Sequence, residues 1–171
     1  MNIYDSLEYA DIMRHYGNEK AKRSQVPLMN HINEGLTILE YMGASESVLK
    51  AFCIHPLFQN NESFLENYGR IFDYDPRVMV NVLEYRNKAN SYLCVSETDS
   101  YTESNIAHSV GTMLINTRAM LIADKIQNKK DFMVHHYGTH PRSEQLLNYF
   151  NNWLKYLEIA KFEKELTNLI L

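Results

Sequence analysis

The chain has 171 residues and a formal net charge of −4, with 45% hydrophobic and 22% charged residues. This length suits one domain around a single hydrophobic core, and the mild acidity gives no electrostatic support for nucleic acid or a membrane surface as a partner. The sequence has no signal-peptide pattern and no run of about 18 apolar residues, so we expect no membrane span and one cytoplasmic domain over residues 1–171.

Apolar residues recur at helical spacing through the first third of the chain. This spacing predicts helices over residues 6–16, 30–42 and 46–55. The segment 18–27 is polar and basic, and we expect a loop there. Asn30 and Ser45 are suitable N-caps for the second and third helices. Pro56 is expected to end the third helix, because proline has no backbone N–H for the helical hydrogen-bond ladder.

The rest of the chain is predicted to be helical as well, apart from two polar segments. Helices are predicted over residues 62–72, from Asp75 onward, over 107–127, and as one or two helices over 143–171. Loops are predicted over 86–104 and 128–141. The second loop contains His135, His136 and His140, whose spacing matches no recognised ligand set, so a surface loop is favoured over a second metal site. Together these elements predict an all-α bundle of about six to eight helices.

Two histidines and one aspartate are expected to meet inside this bundle. His31 falls in the first turn of one predicted helix and His55 in the last turn of the next. Antiparallel helices joined by a short turn bring such positions side by side. Asp124 lies in an otherwise apolar helix, where a buried carboxylate is unfavourable unless it is paired or coordinated. Two imidazoles and a carboxylate suit Mn, Fe or Zn, so the sequence predicts a divalent-metal site.

Each of these residues also has a purely structural interpretation. A lone histidine at a helix end is more often a cap or a surface residue than a metal ligand. Asp124 can pair with Arg118 or Lys125 instead of a metal. Spacing alone therefore leaves a metal site and ordinary capping or ion pairing both open.

The segments around the three residues resemble the HD phosphohydrolases, an all-helical superfamily named for an adjacent His-Asp pair, and within it the small alarmone (guanosine tetraphosphate) hydrolases. The resemblance lies in residues 22–31, 51–56, 122–128 and 143–153. It implies an HD-like bundle and a metal-dependent hydrolase of a nucleotide or another small phosphorylated metabolite. It also implies metal ligands at His31, His55 and Asp124, and substrate-binding residues at Arg23 and Asn128.

The chain departs from that family at residues that the chemistry uses. The Asp that should follow the second His is Pro56, and the family's Glu-Asp pair is replaced by Gln59-Asn60. An amide cannot accept a proton as a general base. These changes favour a catalytically inactive domain that binds a nucleotide or a protein partner, whereas the retained Asp124 favours a diverged hydrolase. In the inactive case the chain would need no metal.

Residues 55–64 also resemble an uncharacterised group of HD-like proteins with a degenerate His-Asp motif. That resemblance nominates Glu62 as a replacement catalytic acid. The alternative is that Glu62 is an exposed carboxylate favoured by the dipole at a helix start. A third possibility, an iron site for oxygen chemistry, rests on fold analogy alone. The sequence leaves the oligomeric state open.

Overall fold

The computed structural model describes residues 2–22, 24–95 and 101–171. Within these residues the chain forms nine α-helices, three short 3₁₀-helices and no strand, so the all-α prediction is confirmed. The α-helices are α1 (Leu7–Tyr16), α2 (Met29–Tyr41), α3 (Glu46–Phe58), α4 (Asn61–Asn67), α5 (Pro76–Asn90), α6 (Glu103–Val110), α7 (Ile115–His135), α8 (Ser143–Tyr156) and α9 (Glu163–Asn168). The 3₁₀-helices are Ile3–Asp5, Tyr68–Asp73 and Ala160–Phe162. No helix of the described ranges is both long enough and apolar enough to cross a membrane.

Helix α3 is the centre of the bundle and contacts α1, α2, α5 and α7. Its sequence is apolar on nearly every face, and such a helix is stable only when other elements surround it. Phe52, Ile54 and Leu57 are completely buried. Helix α7 packs against both α2 and α3. The three helices that carry the predicted metal ligands therefore all contact one another.

The expectation that Pro56 ends α3 is wrong, because the helix continues to Phe58. Pro56 lies in the last turn, so its missing N–H removes one helical hydrogen bond close to an end where the ladder stops anyway. Leu57 and Phe58 are completely buried, and their burial holds the chain in helical conformation past the proline. A capping box between Asn60 and Ser63 then begins α4.

The helix predicted over 107–127 is two helices, α6 and α7. Helix α6 ends at Gly111, whose φ of +61° suits glycine. Helix α7 starts at Ile115 and continues to His135, so the loop predicted over 128–141 is wrong for its first half.

Residues 128–135 of α7 have a buried face, although their composition is mostly polar. Phe132 is buried, and Lys130 forms an ion pair with Glu34 of α2 at 2.7 Å.

The loop predicted over 86–104 is likewise helical at both ends, because α5 runs to Asn90 and α6 begins at Glu103. Residues 96–100 lie outside the described residues. Tertiary contacts to the bundle, rather than local periodicity, set these boundaries.

Gly35 lies at the closest approach of α2 to α3. A β-carbon there would overlap Cε1 and Cζ of Phe52, and the completely buried ring has no free space to move into. We therefore expect Gly35→Ala to lower the free energy of unfolding by about 1–3 kcal/mol, as measured by urea denaturation. Gly69→Ala is the control, since a β-carbon there meets no described atom within 4 Å. Equal losses in the two variants would contradict the close packing.

Candidate metal centre

His31, His55 and Asp124 come together where α2, α3 and α7 meet, as the sequence predicts. One ligand atom from each residue lies within 4.8 Å of the other two. Nε2 of His31 is 3.3 Å from Nε2 of His55 and 3.7 Å from Oδ1 of Asp124. Ligand atoms bound to one cation at about 2.0–2.2 Å lie roughly 3–4 Å apart. The three residues are therefore close to the spacing that a bound divalent cation requires.

The hydrogen bonds of His55 determine which of its ring nitrogens carries the proton. Nδ1 lies 2.7 Å from the backbone oxygen of Phe52. A carbonyl only accepts, so Nδ1 is the donor and Nε2 of the neutral ring keeps its lone pair. Burial, together with the nearby His31, lowers the pKa of His55 to about 3. His55 is therefore neutral at physiological pH, with Nε2 available as a ligand.

The tautomer of His31 is set by a longer chain of hydrogen bonds. Its Nδ1 lies 2.7 Å from Oε1 of Gln127. The amide nitrogen of Gln127 donates to Glu34 at 3.0 Å and to Asp131 at 2.8 Å. Because carboxylates only accept, the amide must point its oxygen at His31. Nδ1 of His31 is then the donor, and in the neutral ring Nε2 keeps its lone pair.

The two unprotonated nitrogens face each other at 3.3 Å. When both rings are neutral, neither has a hydrogen to donate to the other, so their lone pairs repel at this distance. A divalent cation between them replaces this repulsion with coordination, because metal ligands must be deprotonated in any case. The donor set of His31, His55 and Asp124 thus fits a divalent cation.

Asp124 is held by two neighbours on its own helix. Oδ1 accepts a hydrogen bond from Asn128 at 2.7 Å, and Oδ2 pairs with the ammonium of Lys125 at 3.0 Å. Burial alone would raise the pKa of Asp124, but Lys125, His31 and His55 outweigh it and hold that pKa below its usual value. Burial likewise opposes the charge on Lys125, and Asp124 reverses this effect and raises the pKa of Lys125. Both groups are therefore ionised inside the protein.

A further polar group lies at the same centre without a partner. Tyr85 is completely buried, and its ring centroid is 4.8 Å from that of His55. Its hydroxyl lies beside Asp124 but has no hydrogen-bond partner among the described residues. Burial, together with the Asp124 carboxylate, raises the pKa of Tyr85 well above its ordinary value. Buried hydroxyls are seldom left unpaired, so this one is a second sign that the centre is built around a ligand.

A cavity of about 310 Å³ opens onto the centre. His31 and Asp124 reach its wall, and Gln127 and Asn128 continue the same face of α7. Tyr16, the loop before α2, Gln59 just after α3, and Asp131 complete the wall. This volume suits a small metabolite. The candidate metal centre therefore opens, through His31 and Asp124, onto a ligand-sized space.

The remaining predicted site residues differ in where they lie. Asn128 lines the cavity and holds Asp124. Glu62 is exposed in the first turn of α4 and is not among the described residues that line the cavity. Arg23 lies outside the described residues. His135, His136 and His140 form no metal-binding group with each other among the described residues. The catalytic role of Glu62 and the substrate role of Arg23 stay predictions.

Gln127 and Asp131 were not predicted from the sequence, and Asn128 was predicted to bind substrate rather than to hold Asp124. The four polar residues of α7 at this site are spaced by three, four and seven positions, which places them on one helical face. They are Asp124, Gln127, Asn128 and Asp131. A polar stripe of this kind in a mostly buried helix is a readable signal.

Comparison with protein-family models, with curated proteins and with solved structures finds no match to this chain. The resemblance of its short segments to HD phosphohydrolases therefore stays a prediction. The all-α fold and the convergence of His31, His55 and Asp124 stand independently of it.

Removing the buried cation beside Asp124 should destabilise the fold. In Lys125→Met a nearly buried carboxylate, with 4% of its residue surface exposed, loses its ion pair. Breaking such a pair costs about 3–5 kcal/mol. We expect a loss of this size in metal-free protein by urea denaturation, with partial recovery on adding Mn²⁺. The control is Lys164→Met, which removes an exposed lysine. Equal stability of the two variants would contradict the buried pair.

Removing the unpartnered hydroxyl of Tyr85 should instead stabilise the fold. Tyr85→Phe removes a buried polar atom that makes no hydrogen bond, so metal-free protein should become more stable by about 1–3 kcal/mol. Tyr74→Phe is the matched control, because the buried Tyr74 hydroxyl donates to Asp11 at 2.9 Å and its loss should destabilise. Thermal denaturation of both variants checks this. Destabilisation by Tyr85→Phe would show that the hydroxyl has a structural partner.

Proposed function

We propose that this chain is a diverged metal-dependent hydrolase of the HD type that acts on a nucleotide or another small phosphorylated metabolite. The observation that carries the proposal is the pair of unprotonated Nε2 atoms of His31 and His55. They lie beside Asp124, and His31 and Asp124 line a cavity of about 310 Å³. The resemblance to alarmone hydrolases supports the choice of substrate class.

The ligand set supports a catalytic rather than a structural metal. Two imidazoles and one carboxylate leave coordination positions open, as in catalytic zinc sites, and also suit Mn or Fe. When bound, a divalent cation supplies a water of lowered pKa and polarises a phosphoryl oxygen. His31, His55 and Asp124 would hold it.

The other residues of the cavity have separate tasks in this proposal. Gln127 orients His31, and Asn128 orients the Asp124 carboxylate. Asp131 adds a second carboxylate to the cavity wall, and it can accept a proton from water where the amides of Gln59 and Asn60 cannot.

The described cavity wall favours a substrate with hydrogen-bonding groups. The wall contains the amides of Gln59, Gln127 and Asn128 and has no lysine or arginine among its described residues. The negative charge of a phosphate would therefore be neutralised chiefly by the cation that His31, His55 and Asp124 would hold. Arg23 is the predicted additional cation.

The alternative is an inactive HD-fold domain that binds a nucleotide or a protein partner. Two observations favour it: the family's acids are replaced by Gln59 and Asn60, and the exposed Glu62 does not reach the described cavity wall. The free cysteines Cys53 and Cys94 support a reducing, cytoplasmic location under either function.

Elemental analysis of protein purified without chelator tests the metal site. We expect about one equivalent of Mn, Fe or Zn in the wild type, and none in His31→Ala, which removes one of three ligands. His108→Ala is the control, since His108 is exposed on α6 and belongs to no metal-binding group among the described residues. Metal absent from the wild type, even after Mn²⁺ is added, would contradict the proposal.

Phosphate and pyrophosphate release from guanosine tetraphosphate and simple nucleotides then separates the two functions. Hydrolysis that requires Mn²⁺ and is lost in His31→Ala supports the enzyme. Nucleotide binding without turnover in metal-loaded protein supports the inactive domain.

A further inference from the structure

The backbone oxygen of Phe52 lacks the partner that a helix normally provides. In an α-helix the carbonyl of residue i accepts the N–H of residue i+4. For Phe52 that residue is Pro56, which lies inside α3 and has no N–H. The proline ring also pushes against the carbonyl four residues earlier. A buried carbonyl without a partner is unfavourable, so this oxygen needs another donor.

His55 is that donor. Its Nδ1 lies 2.7 Å from the Phe52 oxygen, and the ring is 1% exposed. The bond assigns the hydrogen to Nδ1 and leaves Nε2 bare toward Nε2 of His31 at 3.3 Å. The helical hydrogen bond that Pro56 removes is thus replaced by the one that orients a metal ligand.

We propose that Pro56 is a positioning residue for the candidate metal centre. It removes the one backbone donor that would compete with His55 for the Phe52 carbonyl, and this keeps His55 in the tautomer that coordinates through Nε2. The effect on metal affinity rests on the proposed function, whereas the effect on the tautomer does not. The proline that replaces a ligand of the family thereby supports one of the ligands that remain.

The packing of Pro56 gives no other reason for a proline. Its side chain is only partly buried, whereas Leu57 and Phe58 beside it are completely buried. Proline in a helix is unfavourable relative to alanine, so the fold alone would favour another residue. His31 is oriented in an equivalent way, because the side-chain oxygen of Gln127 accepts a hydrogen bond from Nδ1 of His31. Both ligands are thus held through Nδ1.

The test compares Pro56→Ala with Pro76→Ala in the full chain. Alanine at position 56 restores an N–H that competes for the Phe52 carbonyl. Pro76 is the first residue of α5, where a backbone N–H has no helical acceptor, so Pro76→Ala is the matched control. Nitrogen-15 NMR of metal-free protein reports the tautomer of His55, whose signals are identified by their loss in His55→Gln. Calorimetric titration with Mn²⁺ alone reports the affinity.

We expect wild type and Pro76→Ala to carry the His55 hydrogen on Nδ1, and Pro56→Ala to show a mixture of tautomers. Mn²⁺ affinity should fall about 10- to 100-fold in Pro56→Ala, as for other residues that orient metal ligands. Its thermal midpoint should rise, because α3 regains a hydrogen bond. Weaker binding in a more stable protein is a result that a purely structural role for Pro56 cannot give.

Two results would overturn the inference. One is an unchanged His55 tautomer in Pro56→Ala, and the other is a wild-type His55 with its hydrogen on Nε2. Failure of wild-type protein to bind Mn²⁺ would instead overturn the proposed metal-dependent function. In that case the tautomer comparison in metal-free protein still decides the role of Pro56.

Discussion

The close contact between two imidazoles is the interaction on which the centre of this protein depends. Nε2 of His31 and Nε2 of His55 lie 3.3 Å apart, and in the neutral rings the hydrogen bonds from both Nδ1 atoms leave neither Nε2 with a hydrogen to share. Two lone pairs at this distance are unfavourable unless a cation joins them. The bundle nevertheless holds the two rings from both sides, through the Phe52 carbonyl and the Gln127 amide. With both rings neutral, these hydrogen bonds leave two lone pairs aimed at one point, where a cation can bind.

A buried ion pair lies beside the two histidines and adds little to the stability of the fold. Asp124 and Lys125 form an ion pair at 3.0 Å while both are almost completely buried, and a buried pair of this kind often stabilises no better than apolar residues of the same volume. Lys125 also lies 4.9 Å from the ring centroid of Trp153, which offers it a second favourable contact. A carboxylate kept ionised beside two imidazoles is a donor set that suits a divalent cation.

The sequence allowed the convergence of the three residues to be predicted, because short-range patterns place His31 and His55 at adjacent helix ends and Asp124 inside an apolar run. Spacing alone left their role open, and the family resemblance favoured a metal site. It did not reveal the contacts that orient them. The bond from His31 to Gln127 joins residues far apart in the chain, and nothing local indicates it. Pro56 shows the same limit, since local rules predict a helix end whereas the burial of its neighbours continues the helix. The effect of Pro56 on His55 is evident only from the structure, in which Nδ1 of His55 donates to the Phe52 carbonyl.

The most direct test of the centre is a crystal structure of the protein grown with Mn²⁺, with the cation located by its anomalous scattering. The hydrogen-bond pattern requires one peak at about 2.0–2.2 Å from Nε2 of His31, Nε2 of His55 and a carboxylate oxygen of Asp124. Nδ1 of each histidine should keep its bond to Gln127 or Phe52. A map with no peak between the two imidazoles, or with either ring turned to present Nδ1, would contradict the proposed centre.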